Sequence, residues 1–220
     1  MNFSDILASI IHDMKNSLGM VINTLDEMAG ENGYQDNPKF ASLQHESKRL
    51  SNNLIALLSL YKIDNGQLTP NIEELQVADF LDEIVIDNQS VAQSKSITLS
   101  CDCDADLSGY FDEWLIRGVI NNLIGNALRY TRTQISLSAE MIDDYLVIRI
   151  EDDGSGFPPA MIEAQAAFNR NKTLAEGHTQ LGIYFASMVA HAHKNGDRSG
   201  SVHLENNHKL EGGCSSIWLP

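Results

Sequence analysis

Apolar residues recur at alternating intervals of four and three positions along the N-terminal part of the chain. This spacing is the heptad pattern of a helix that packs one apolar seam against a neighbouring helix. The seam consists of Leu7, Ile11, Met14, Leu18, Val21, Leu25 and Met28. A turn-forming stretch, AGENGYQDNP at 29–38, separates it from a second heptad segment. The second seam consists of Leu43, Ser47, Leu50, Leu54, Leu57 and Tyr61, and DNGQLTP at 64–70 ends it.

Two amphipathic helices joined by a short turn leave one apolar stripe uncovered. The pattern therefore predicts an N-terminal helical hairpin that pairs with a second copy of the chain as a homodimeric four-helix bundle. Packing of the hairpin against the downstream part of the same chain is the alternative that the pattern leaves open.

From about Leu75 the pattern changes to strands and helices that are interleaved along the chain. The predicted helices are VADFLDEIVIDNQSVAQ, DEWLIRGVINNLIGNALRYT and LGIYFASMVAHAH. The predicted strands are SITLSCD, TQISLSAEMI, YLVIRIEDDG, SVHLENN and CSSIWLP, with a hairpin turn at Asp143 and Asp144. We therefore expect an α+β chain, with the helical hairpin over about the first seventy residues and an α/β sandwich after it. Its mixed sheet is expected to be covered by helices on one face.

The composition of the chain argues against several classes of function. The net charge of −15, from 30 acidic and 15 basic residues, argues against nonspecific binding to nucleic acid or anionic lipid. No run of eighteen apolar residues occurs and the N-terminus has no basic signal region, so we expect a cytoplasmic chain without a membrane span. Three cysteines form no even disulfide set, which favours reduced thiols.

Candidate chemistry begins with the stretch IIHDMKNSLG at 10–19. His12 directly follows the seam residue Ile11, so we expect its imidazole to point out of the bundle. Asp13 can accept a hydrogen bond from Nδ1–H and leave the Nε2 lone pair facing outward. Asn16 lies one helical turn further on the same face. The pattern indicates an exposed, oriented nucleophile; an ordinary solvated helix surface is the alternative.

The stretch NNLIGNALRYT places two amides one helical turn apart, at Asn122 and Asn126. Neutral oxygen ligands suit Mg²⁺, which keeps several waters and bridges to phosphates. Arg129 could reach the same phosphates, and Tyr130 offers a flat ring for a base. Solvated asparagines on a helix surface are the alternative.

Two glycine-containing stretches follow. In EDDGSGFP, at 151–158, Gly154 and Gly156 permit a close approach of a ligand, and the Asp153 carboxylate could accept a bond from an exocyclic amine. In GHTQLGIYFASM a glycine-flanked loop opens a helix, where N–H groups favour an anion. The polar segment FNRNKTLAEG at 168–177 before it is long enough to act as a mobile lid.

In this order the stretches resemble the catalytic core of a bacterial two-component sensor histidine kinase over essentially the whole chain. HDMKN resembles the family's H-box, NNLIGNALRYT its N-box, EDDGSGFP its G1 box, the segment around Phe168 its F-box and TQLGI its G2 box. The resemblance implies a dimerisation and histidine-phosphotransfer domain over residues 1–68. The ATP-binding domain shared with gyrase, MutL and the heat-shock chaperone ATPases would follow over residues 72–220.

The resemblance also implies residue roles. His12 would accept the phosphoryl group with Asp13 as its partner, and Asn16 would support phosphatase activity toward a response regulator receiver domain. Asn126 would bind Mg²⁺. The ATP site would comprise Asn122, Asn126, Arg129, Tyr130, Asp153, Gly154, Gly156, Thr179, Leu181 and Gly182. A separate sensor protein is a further implied partner.

The sequence departs from the family pattern at two places. Ser17 replaces a proline that follows the family's phosphoacceptor, and His178 and Gln180 replace two glycines of the G2 box. The side chains of His178 and Gln180 can crowd a triphosphate where the family has glycine. A histidine-phosphotransfer or scaffold protein with a degenerate nucleotide domain is therefore the alternative function.

Overall fold

The computed structural model describes residues 3–31, single positions between 40 and 66, and residues 69–171 and 181–220. The chain divides into two compact units, Met1–Leu68 and Thr69–Pro220. Within these described ranges, no helix combines the length and the apolar character that a membrane crossing requires.

The first unit contains the long helix α1, Phe3–Glu31, and the positions described between 40 and 62 are also helical. The Ser17 hydroxyl donates to the Asp13 carbonyl 3.0 Å away, so the helix continues through the position where the family has proline. Leu25 is buried, whereas Met14, Val21 and Met28 are 51%, 46% and 38% exposed. One line of the predicted seam is thus exposed in the single chain.

The second helical segment shows the same division. Leu43, Leu50 and Leu57, each seven positions apart, are exposed, whereas Ser47 is buried. The exposed line is apolar, and its partner in the predicted bundle would be a second chain. That bundle stays a prediction.

The second unit consists of short strands and four helices among its described residues. In chain order they are β1 (Glu73–Gln76), α2 (Val77–Ser94), β2 (Thr98–Cys103), β3 (Ser108–Phe111), α3 (Glu113–Tyr130), β4 (Gln134–Ile142), β5 (Tyr145–Asp152), α4 (Pro159–Asn171), α5 (Leu181–Ala192), β6 (Lys194–Asn195), β7 (Arg198–Ser199), β8 (Ser201–Asn206) and β9 (Gly213–Leu219).

Five strands form the main sheet in the order β2-β4-β5-β9-β8. The β2–β4 pair is parallel and the other pairs are antiparallel, which confirms the mixed sheet predicted from the sequence. Asp143 and Asp144 connect β4 to β5 with φ values of +48° and +62°, as a two-residue hairpin turn requires. The sequence analysis did not identify β1, β3, β6, β7 or α4 as elements.

Helices α2, α3 and α5 pack on the sheet through apolar side chains that are nearly all inaccessible to solvent. The most deeply buried include Leu81, Ile84, Ile116, Ile120, Ile124, Ala186 and Val189. Helix α4 covers the outer edge of the sheet, because Gln165 and Asn169 both donate to the Val202 carbonyl of β8. These bonds occupy an edge that would otherwise be open to another strand.

The start of α3 is held by Asp112 and His193. The Asp112 side chain accepts from Leu115 N at 2.9 Å as the helix N-cap, and Asp112 N donates to His193 Nε2 at 3.1 Å. His193 Nδ1 lies 2.8 Å from the Val189 carbonyl and therefore carries the proton of the neutral ring. Burial lowers the pKa of His193 below its ordinary 6.5, and this outweighs the opposite effects of the Val189 carbonyl and Asp112.

We expect the free energy of unfolding to fall as the pH decreases from 7.5 to 5.5, in part through His193. The unfolded chain binds a proton at His193 near pH 6.5, whereas the folded chain binds it only at lower pH, so acid stabilises the unfolded state. One such group contributes at most about 1.4 kcal/mol per pH unit. Urea unfolding at several pH values measures this slope.

His193→Gln keeps an acceptor for Asp112 N and removes the titrating group. The variant should be less stable at pH 7.5 but should show a shallower slope between pH 7.5 and 5.5. Burial also lowers the pKa of His203, so His203→Gln should flatten the slope as well, and the double variant should flatten it further. An unchanged slope in His193→Gln would contradict the assignment.

Candidate functional site

A pocket opens in the second unit beside the end of β5 and the C-terminal half of α3. Apolar side chains from the sheet and three helices form its wall: Leu123, Ala127, Ile150, Met161 and Ile183. Polar groups are few and line the same space: Asn126, Tyr130, Asp152, Ser155, Gly156 and Ser215. A largely apolar pocket with few polar groups is typical of a small-molecule site.

Asp152 is the buried acid of this pocket, with 7% of its surface exposed. Its Oδ1 accepts from Gly154 N at 2.7 Å, and a second backbone bond comes from Gly213. Burial raises the pKa of the Asp152 carboxyl, although the two backbone donors act in the opposite direction. Since a carboxylate accepts hydrogen bonds, Asp152 can select a ligand that brings an N–H group into the pocket.

The structure corrects the prediction that Asp153 binds the ligand amine. The Asp153 carboxylate lies against the connection from α3 to β4, where it accepts from the Thr131 hydroxyl at 2.6 Å and from Arg132 N at 2.8 Å. The Thr133 hydroxyl donates to its other oxygen at 2.5 Å. Burial alone would raise the pKa of Asp153, but these hydrogen bonds outweigh it and hold the pKa well below its ordinary range. Asp153 therefore anchors a loop, and Asp152 takes the position in the pocket.

Strand alternation explains this difference. Ile148 and Ile150 of β5 are buried, and Ile150 lines the pocket. Successive side chains of a strand point to opposite faces, so Asp152 continues the line of Ile150 and Asp153 does not. The even-numbered apolar residues of YLVIRIED contained this signal, and the sequence analysis missed it.

Gly154 and Gly156 shape the rim for different reasons. A Cβ on Gly154 would lie 2.3 Å from the Tyr130 carbonyl oxygen, so only glycine permits this close backbone approach. Gly156 has φ +72° and adjoins Asn206, which a Cβ would meet at 2.7 Å. The Asn206 side chain accepts from Phe157 N at 2.7 Å and donates to Phe157 O at 2.9 Å. The rim is therefore fixed to the end of β8.

The predicted asparagine pair lies beside the pocket, with Asn126 in its lining. Asn126 Nδ2 is 3.5 Å from Asn122 Oδ1, and the Arg129 guanidinium donates to Asn126 Oδ1. A Cβ on Gly182, in the first turn of α5, would overlap the Asn122 amide oxygen at 2.0 Å. Gly182 therefore lets the N-terminus of α5 approach the asparagine pair.

Ser215 of β9 lines the pocket and was not identified from the sequence. It is paired with Ile150 in the register of β5 and β9, so the two side chains lie on the same face of the sheet. A serine within CSSIWLP carries no local signal of function, because only the pairing with β5 brings it to the pocket.

Other predicted site residues lie elsewhere. Asp13 and Asn16 are exposed on α1 in the first unit, and the side chain of His12 is outside the described residues. Thr179, with His178 and Gln180 of the altered G2 box, also lies outside them, as does the side chain of Leu181.

The predicted lid at 168–177 needs a partial correction. Residues 168–171 are the last four of α4, and Phe168 is buried against the Tyr184 ring with centroids 5.8 Å apart. The remaining lid positions lie outside the described residues.

Comparison with known proteins gives a family match. The family model described as Histidine kinase-, DNA gyrase B-, and HSP90-like ATPase matches residues 111–220. Sensor histidine kinase WalK of Bacillus subtilis is 26% identical over 204 residues, which cover 86% of this chain and 33% of WalK. Adaptive-response sensory kinase SasA of Synechocystis is 28% identical over 188 residues, covering 80% of this chain and 47% of SasA. The chain thus spans less than half of either relative.

Solved structures share the fold at lower identity. Histidine kinase AdeS of Acinetobacter baumannii aligns with a TM-score of 0.62 and 17% identity over 94% of this chain and 96% of AdeS. Full-length ShkA, solved in complex with AMPPNP, aligns with a TM-score of 0.66 and 19% identity over 98% of this chain and 45% of ShkA. Together with the family match, these likenesses confirm the resemblance to a histidine kinase catalytic core.

Mutations of the two adjacent aspartates should affect different properties, ligand binding for Asp152 and stability for Asp153. Asp152→Asn should weaken binding of a non-hydrolysable ATP analogue at least about tenfold, the cost of one lost charged hydrogen bond, with little loss of stability. Asp153→Ala should lower the free energy of unfolding by about 1–2 kcal/mol and leave analogue binding intact. Calorimetric titration and urea unfolding of both variants measure this, and the reverse pattern would restore Asp153 as the ligand residue.

Proposed function

Because this chain belongs to the histidine kinase-, DNA gyrase B- and HSP90-like ATPase family, we propose that it is an ATP-dependent protein-histidine kinase that phosphorylates His12. The observation that carries the proposal is the Asp152 carboxylate, buried in an apolar pocket with Asn126 in the same lining. Such a pocket suits a flat base that carries an exocyclic amine. The family match, the apolar pocket and the position of His12 next to the heptad seam each support this proposal.

The pocket fits the adenine of ATP by its chemistry. Asp152 and the Ser215 hydroxyl offer polar atoms for the base, and Leu123, Ile150 and Ile183 surround them with apolar surface. Asp152 would accept from the exocyclic amine and so favour adenine over a base with a carbonyl at that position, which would place two acceptors together. Tyr130, exposed on the rim, would cover one face of the base.

Residues beside the pocket suit a Mg²⁺–triphosphate. The Asn126 amide oxygen is a neutral hard ligand of the kind that Mg²⁺ binds. In the structure it accepts from the Arg129 guanidinium, which would move to the phosphates when Mg²⁺ binds. Mg²⁺ would neutralise phosphate charge when bound. Asn122 would orient Asn126, and Arg129 would pair with phosphate oxygens.

His12 would be the nucleophile of an in-line phosphoryl transfer. Its Nε2 lone pair would form the new N–P bond while the bond from the γ-phosphorus to the bridging oxygen breaks and ADP leaves. Asp13 would hold the Nδ1 proton and keep Nε2 available. The chain would act mainly by alignment and by charge neutralisation, which are the main protein contributions in phosphoryl transfer.

The phosphoryl group would pass to an aspartate of a response regulator receiver domain, and Asn16 would orient a water for the reverse dephosphorylation. Asn16 is exposed one turn beyond His12 on α1, about 6 Å along the helix. Homodimerisation through the exposed line of Met14, Val21 and Met28 would cover that apolar surface. A separate sensor protein would supply the signal.

Incubation with ATP and Mg²⁺ should produce an acid-labile, alkali-stable phosphoryl group on this chain. His12→Gln should abolish the label, since it removes the only nitrogen nucleophile that the proposal assigns. Asp152→Asn should reduce labelling at limiting ATP, because it weakens nucleotide binding. Phosphoamino-acid stability and site mapping by mass spectrometry provide the measurement.

His191→Gln, a change in the last turn of α5 in the other unit, is the matched control and should keep the label. A folded wild-type chain that stays unlabelled at millimolar ATP would overturn the kinase proposal. If that chain also fails to bind the analogue but takes up phosphoryl from a phosphorylated receiver, the phosphotransfer alternative is correct.

Asn16→Ala should slow dephosphorylation of the receiver without reducing phosphorylation of His12. The amide would hold the attacking water in line with phosphorus, and loss of such positioning costs about a hundredfold in rate. Thr24→Ala, a change at another exposed polar residue of α1 that lies off the helix face of His12 and Asn16, is the control. Equal loss of both reactions in Asn16→Ala would contradict a separate role.

A further inference from the structure

A histidine, a cysteine and a glutamate meet on the sheet face opposite the pocket. Glu151 comes from β5, Cys214 from β9 and His208 from the loop at 207–212 between β8 and β9. Glu151 is paired with Cys214 in the register of β5 and β9, and Cys214 is paired with Glu205 across β8 and β9. Because cross-strand partners share a face, Glu151, Cys214 and Glu205 lie in one row.

The donor atoms of this group are close together. Glu151 Oε1 is 2.8 Å from His208 Nδ1 and 2.9 Å from Lys209 N, and one ligand atom from each of Glu151, His208 and Cys214 lies within 4.8 Å of the others. Among the described residues, no other trio of His, Cys, Asp and Glu side chains meets this distance. Two of the three are deeply buried, with Glu151 and Cys214 each 1% exposed.

The side-chain partner of the buried Glu151 carboxylate is His208. A buried carboxylate is costly unless it is paired or binds a metal. Glu151 has a histidine and a backbone N–H as its neighbours, and Cys214 has a hydrogen bond with Glu205. A divalent cation would satisfy all of these groups at once.

We propose that Glu151, His208 and Cys214 form a Zn²⁺ site, with Glu205 or a water as the fourth ligand. Sulfur, nitrogen and oxygen donors together are the usual ligands of four-coordinate zinc. The thiol would bind as thiolate and release its proton to solvent. This site is separate from the nucleotide pocket and does not rest on the proposed kinase function.

The geometry needs an adjustment of up to about 1.5 Å, because the ligand atoms now lie within 4.8 Å of one another. Tetrahedral zinc with bonds near 2.0 Å to nitrogen and 2.3 Å to sulfur places its ligand atoms roughly 3.3–3.6 Å apart. His208 Nδ1 and Glu151 Oε1 are 2.8 Å apart and would separate by about half an ångström. His208 lies in the exposed loop at 207–212, which can make this shift, whereas Glu151 and Cys214 are held by the sheet.

Cobalt titration of the metal-free full chain tests the site. Co²⁺ should bind with one ion per chain and produce a thiolate-to-cobalt charge-transfer absorption in the near ultraviolet. Added Zn²⁺ should displace it and raise the midpoint of thermal unfolding. Cys214→Ser should remove the charge-transfer band, and His208→Gln should weaken Zn²⁺ binding at least about tenfold, the cost seen even for outer-shell partners.

Matched controls use the other thiols and another histidine. The double variant Cys101→Ser, Cys103→Ser and the single variant His203→Gln should retain the band and the zinc affinity of the wild type. Circular dichroism confirms that each variant is folded. Absence of the band in wild type, or its survival in folded Cys214→Ser, would overturn the proposal. A band that disappears only in the Cys101 and Cys103 variant would place the metal elsewhere.

Discussion

The second unit depends on the alternation of side chains along β5, a central strand that is buried on both faces. One face carries Ile148 and Ile150 into the helical core and ends at Asp152. The other carries Arg149 and Glu151, both of them also buried. A shift of one residue in the register would exchange an apolar row for a charged one, so the pairing with β4 and β9 is strongly specified. Two sites of different chemistry can therefore lie on adjacent residues.

Much of the fold could be predicted from the sequence. The long helices, the strands β4, β5, β8 and β9, and the Asp143–Asp144 turn all have strong local signals, in apolar periodicity or in turn chemistry. The elements that were missed are short or irregular. Strands β1 and β3 have four residues each and pair across the 31 positions between Gln76 and Ser108, and α4 begins at Pro159, directly after another proline.

The site was predicted in part, and the reason is physical. Asn126 and the two glycines of EDDGSGFP lie in contiguous motifs, so their spacing already indicates a site. The choice between Asp152 and Asp153 depends on which face of β5 each side chain occupies. Because the two residues are identical and adjacent, only the alternation of side chains along the strand distinguishes them. Ser215 and the trio of Glu151, His208 and Cys214 are brought together by sheet pairing over a long sequence distance, which local patterns do not contain.

The Asn206 side chain has a consequence for how this edge of the protein can vary. Its amide accepts from Phe157 N and donates to Phe157 O, as a neighbouring strand would. Asn206 precedes the loop at 207–212 in the chain, so these two bonds hold Phe157 and the adjacent Gly156 independently of that loop. Substitutions at the exposed tip of the loop can therefore be accommodated without displacing the pocket rim, whereas Gly212 at its end packs against Asp152 and Gly154 and has no room for a side chain. The tip of the loop is a place where new binding properties can evolve beside an unchanged pocket.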